Sequence, residues 1–148
     1  MTVAEALEGV SALLLDTAPV IYHLEGNPAY APLMARFFQA RAERKITLVT
    51  TPITLSECLV HPIKQGLAEL GEAYFRLLVG GEGTEFRTIG SMEGREAARL
   101  RAEYDLRLGD ALQVAVSVTS GCQAMLTNDD TFRRVREIRV LLLDDLEL

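Results

Sequence analysis

A chain of 148 residues fits one domain and is long enough to bury a core. Nearly half of its residues are apolar, only 6% are aromatic, and no apolar run reaches the length of a membrane span. The net charge of −6 argues weakly against a nucleic-acid binder, since phosphate binding needs a basic surface, but carboxylates gathered around a cation would enter that same count.

Residues 1–11 read as an N-terminal extension with room for a short extra helix. Val10 to Leu15 is too short for a signal-peptide core and follows Glu5 and Glu8 rather than basic residues, so a cytoplasmic protein is expected. Ala12 to Leu15 is an apolar run ending in Asp16 and reads as a buried strand. Thr17-Ala18-Pro19 opens a helix that Gly26-Asn27-Pro28 breaks. Leu33, Met34, Phe37 and Phe38 give helical spacing to about Ala42, and Ile46 to Thr50 is a second strand. Thr51 or Thr54 can cap the next helix, which carries Glu57 and Cys58 and which His61-Pro62 ends or bends. Leu67, Leu70, Tyr74, Leu77 and Leu78 mark another amphipathic helix, stopped by Gly80-Gly81. Glu85 to Ile89 is a third, more polar strand, expected at an edge. A helix starts at Ser91, and a second starts at Gly109-Asp110 and closes at Gly121. Ala124 to Thr127 is the fourth strand, Asn128-Asp129-Asp130 a polar loop, Phe132 and Val135 a short helix, and Ile138 to Leu143 the last strand.

Strands alternating with helices predict a single three-layer α/β/α domain over residues 1–148, with a mainly parallel sheet of about five strands. Ligands of such sheets sit at the C-terminal strand ends. Asp16 and Asp129 fall just past strand ends, and Glu57 and Asp110 fall in the first turns of helices that begin at that same edge. At about 4 Å and an effective dielectric near 20, each ionised carboxylate pair costs roughly 4 kcal/mol, so such a cluster requires protons or cations. Hard oxygen ligands select Mg²⁺ or Mn²⁺, which activate water and stabilise phosphoryl displacement. With no Ser-His-Asp set, reactive cysteine motif, paired histidines, P-loop or G-x-G-x-x-G loop, metal-assisted hydrolysis is the reaction these residues could support.

Each residue also has a structural reading. Asp16, Asp110 and Asp129 or Asp130 could be helix caps, Glu57 a solvated helix residue, and Thr17, Thr127 and Asn128 turn residues. Arg95, Arg99, Arg107, Arg133, Arg134 and Arg136 could hold phosphates or merely line solvated helix faces. Cys58 and Cys122 read as core thiols. A haloacid-dehalogenase phosphatase would need an acid at position 18, where this chain has Ala, and a receiver domain would need a Lys late in the chain, whereas the last is Lys64.

From about Leu13 to Leu143 the chain resembles the PIN-domain family, in particular the VapC-type toxins. The segments that carry the likeness are Leu13 to Ile21, Thr51 to Glu57, Leu108 to Leu112 and Leu126 to Phe132. The resemblance implies a Mg²⁺- or Mn²⁺-dependent endoribonuclease with Asp16 and Asp110 as principal metal ligands. Glu57 and Asp129 would complete the acidic pocket, and Thr127 would orient a carboxylate. It implies an RNA substrate, a homodimer, and a small cognate antitoxin whose peptide enters the pocket. Asp130 competes with Asp129 as the fourth acid; the spacing to Phe132 favours Asp129. Gln113 stands where the family often has His, a departure expected to leave the acidic set untouched. The rival is a non-catalytic PIN-like module that binds RNA or a protein partner.

Overall fold

Leu13 and Leu15 pack into one hydrophobic core and Leu14, between them, into a second. Successive strand residues face opposite sides of a sheet, so an unbroken apolar run is what a strand covered on both faces requires. In the computed structural model, which describes all residues from Met1 to Leu148, this run is the central strand β1 (Ala12–Leu15). Four more strands join it, β2 (Thr47–Thr50), β3 (Thr84–Phe86), β4 (Ala124–Thr127) and β5 (Arg139–Leu142). All pair in parallel, in the order β3-β2-β1-β4-β5. Leu14 is level with Val49 on one side and Met125 on the other, and all three enter the second core.

The first core is covered by α1 (Val3–Ala6), α2 (Thr17–Leu24), α3 (Ala31–Glu43), α4 (Pro52–Gln65) and α5 (Ala68–Gly80). The second is covered by α6 (Ser91–Tyr104), α7 (Leu108–Thr119) and the 3₁₀ turn Asp130–Arg134, which inserts Phe132. The result is the expected three-layer α/β/α architecture. No helix is long and apolar enough to cross a membrane.

Residues 1–11 are integral to the packing. Thr2 and Glu5 cap α1 reciprocally, and Val3 N–H donates to Glu147 O at 3.0 Å. Val3, Ala6 and Leu7 are at most 2% exposed, and each large apolar side chain so buried contributes roughly 1.5–3 kcal/mol.

Two elements differ from expectation. Pro62 does not end α4, which runs on to Gln65 and stops at Gly66 in the left-handed conformation. The ring is buried, with Leu59 and Pro62 both against Gly71 of α5, so helix-helix packing offsets the lost hydrogen bond. β3 begins at Thr84 and pairs no further than Arg87, whose N–H donates to Thr50 O. Its partner β2 ends there, because the chain turns into α4 at Thr51 and Pro52, leaving residues 88–89 nothing to pair with.

The path of the chain runs outward from β1 in both directions, toward β2 and toward β4. Chain order therefore reverses at the C-terminal end of β1, where parallel sheets open a crevice. Asp16 lies at that point.

Candidate active site

Asp16 leaves β1 in extended conformation and occupies the N-cap position of α2, yet its side chain makes no capping hydrogen bond. Its carboxylate is held sideways instead. Oδ1 accepts from Gln113 Nε2 at 3.0 Å and Oδ2 from Thr127 Oγ1 at 2.8 Å. Thr127, the last residue of β4, also accepts the Asp129 N–H at 3.1 Å, which ties the loop after β4 to the same carboxylate. Burial pushes the Asp16 carboxyl above its ordinary value, and the charge of Asp110 adds to that. The bonds from Gln113, Thr127 and the Thr17 backbone favour the ionised form but do not cancel the burial.

Gln113 is the hub of this arrangement. It lies on α7, is 1% exposed, and accepts from Thr51 Oγ1 at 2.6 Å while donating to Thr54 Oγ1 at 2.7 Å and to Asp16. Thr51 in turn caps α4 by accepting the Thr54 N–H. One side chain thereby joins β1, α4 and α7. The expectation that this departure would leave the acidic set untouched is corrected, since Gln113 directly holds Asp16. The sequence signal was a lone amide among Ala111, Val114 and Ala115, because a polar group buried on an apolar helix face needs partners.

The other acids share this edge. Glu57 lies in the second turn of α4 rather than the first as expected, because the helix already begins at Pro52. It stands toward solvent, but partial burial and then the charges of Asp16 and Asp110 raise its carboxyl. The Thr17 hydroxyl and Arg107 act in the opposite direction. Asp110, in the first turn of α7, accepts from Arg107 Nε at 3.0 Å. Asp129 Oδ2 lies 3.6 Å from the same guanidinium, and its Oδ1 caps the 3₁₀ turn by accepting the Thr131 N–H. Asp130 has no such link to the other acids. Asn128 is engaged elsewhere, donating to Tyr30 Oη at 3.0 Å and accepting the Asp144 N–H at 3.1 Å.

The donor set is hard oxygen throughout, and Thr17 Oγ1 is buried beside it, near enough to Glu57 to favour its ionised form but in no hydrogen bond of full geometry. Both features fit a hard divalent cation. As the side chains stand, no three His, Cys, Asp or Glu residues are gathered tightly enough to grip one ion, and Asp110 and Asp129 turn to Arg107 instead. Thiol chemistry does not compete: burial pushes Cys58 and Cys122 up to about 12, so both stay protonated. Of the candidate phosphate-binding arginines, Arg99 is committed to Glu96, Glu103 and Glu137, and Arg133 to Asp145. Arg95, Arg134 and Arg136 form no ion pair.

The family model of the PIN domain matches residues 13–138, which span β1 to the threshold of β5 and include all four acids. The chain belongs to the PIN-domain family. Solved structures share the fold of this PIN domain at low sequence identity. A chain of VapBC2 from Rickettsia felis, bound to a promoter DNA fragment, superposes with a TM-score of 0.71 at 15% identity, covering 88% of this chain and 98% of that one. DNA-bound VapBC from Salmonella typhimurium gives 0.65 at 19% identity, covering 89% and 98%. VapC20 of Mycobacterium tuberculosis, described as a Sarcin-Ricin loop cleaving toxin, gives 0.67 at 14% identity, covering 86% and 98%. Among curated proteins none matches the sequence significantly.

Proposed function

We propose that this PIN domain is a Mg²⁺- or Mn²⁺-dependent endoribonuclease, the toxin of a type II toxin–antitoxin pair, acting through Asp16, Glu57, Asp110 and Asp129. The observation that carries this reading is the Asp16 carboxylate. The fold half-buries it at the crevice of the sheet, fixes both its oxygens, and sets it in the field of Glu57 and Asp110. Stability alone gives no reason to bury a charge among like charges.

Asp16 and Asp110 would be the principal ligands of the ion, with Glu57 and Asp129 completing the pocket directly or through water. When bound, such an ion lowers the pKa of water and offsets charge developing on the phosphate oxygens. The chain's own part is orientation. Gln113 and Thr127 fix the Asp16 oxygens, and Thr127 fixes the backbone that presents Asp129. The toxin–antitoxin names of the solved neighbours support an RNA substrate and a small antitoxin. A cytoplasmic homodimer belongs to the same reading. The second reading, a non-catalytic module binding RNA or protein, is favoured by the acids not closing into a three-ligand group.

Incubation of antitoxin-free protein with transfer, ribosomal and messenger RNA separates the two. The nuclease reading expects Mn²⁺-dependent internal cleavage of at least one of them, abolished by a chelator and absent in Asp16→Asn/Asp110→Asn. Cleavage that persists in this double variant would refute the site. Folded, metal-replete protein that cuts none of the three would establish the non-catalytic module.

A further inference from the structure

Arg107 is the one cation in ion-pair contact with these acids. It precedes the first turn of α7 as the N-cap residue, so its backbone is fixed by the helix it opens. Its side chain is 80% exposed, and the contacts that hold it are the two carboxylates. Those carboxylates belong to different elements, Asp110 to α7 and Asp129 to the segment after β4. Arg107 therefore spans the mouth of the cleft, and its charge also reaches Glu57.

A guanidinium at this place lowers the repulsion among the acids but leaves the cluster negative. A divalent cation carries twice the charge on a compact centre and draws carboxylate oxygens to itself. The two cations repel each other and compete for the same oxygens of Asp110 and Asp129. An exposed, flexible side chain is the one that gives way.

We propose that Arg107 is an internal counter-cation, bridging Asp110 and Asp129 in the metal-free protein and displaced into solvent when the divalent ion enters. The inference rests on the metal-dependent reading above. Metal affinity is then reduced by the fraction of molecules in which Arg107 holds the acids, as for any ligand that binds only one of two states.

The test is calorimetric titration of Mn²⁺ into the full chain as wild type, Arg107→Gln and Arg107→Lys. Arg107→Gln should bind Mn²⁺ more tightly, by up to about fivefold, the upper end of what an exposed ion pair gives. Arg107→Lys keeps the charge and should stay near wild type, which separates charge competition from any change in the start of α7. Unchanged or weaker binding by Arg107→Gln, with wild type still binding, overturns the counter-cation and leaves the metal site standing. Binding tightened equally by both substitutions also overturns it, because a change of shape would then suffice. No binding by any of the three proteins overturns both this inference and the reading beneath it.

Discussion

Asp16→Asn is expected to lower RNA cleavage by more than about 100-fold while making the metal-free protein more stable at neutral pH. The loss of activity follows from removing a proposed ligand, since even groups that only orient ligands are worth roughly 10- to 100-fold. The gain in stability follows from burial. The Asp16 carboxyl is raised above its ordinary value of 3.8, so the folded state holds a proton that the unfolded state has already released. Stability then falls as pH rises from the unfolded value through the raised folded one, and it stays lower once both states are ionised. Asn is a neutral isostere that still accepts from Gln113 and meets Thr127 with an N–H. Wild type and variant should therefore agree most closely in acid and diverge as pH rises toward neutrality. Urea denaturation across that range checks the trend; a variant less stable than wild type at neutral pH would show that the buried charge is compensated.

Gln113→Leu is expected to destabilise the domain by about 3 kcal/mol and to reduce cleavage roughly 10- to 100-fold, although Gln113 itself is buried away from solvent. Leu keeps the bulk of the side chain, so little cavity forms. What is lost is pairing: the Thr51 hydroxyl loses its acceptor, and Thr54 Oγ1 and Asp16 Oδ1 lose a donor. Leaving buried polar groups unpaired costs about 1–3 kcal/mol each, and the three are coupled through one amide, so the penalties do not simply add. Urea denaturation of variant and wild type measures the first effect and an RNA-cleavage time course the second. A variant as stable as wild type would mean that water replaces the amide.

The strands and the edge that carries the acids were readable because they follow local rules. Leu13-Leu14-Leu15 and Ala124 to Leu126 are unbroken apolar runs, and each is followed within a few residues by an acid at a strand end. Position along the chain is enough to place Asp16 after β1 and Asp110 in the first turn of α7. The hub at Gln113 was not readable in the same way. Its contacts to Thr51 and Asp16 join residues 62 and 97 positions apart, and such pairings depend on how α4 and α7 settle against β1. The same holds for Arg107, which sequence alone offered only as one of six candidate phosphate-binding arginines. Pro62 shows the converse, a strong local signal overridden by packing against α5.

The central claim is that these carboxylates hold a divalent cation, and the most direct measurement is Mn²⁺ binding by isothermal titration calorimetry on antitoxin-free protein. The account predicts saturable binding by the wild type that disappears in Asp16→Asn/Asp110→Asn. Folded wild type that takes up no Mn²⁺, or a double variant that binds it as well as wild type does, would contradict the account.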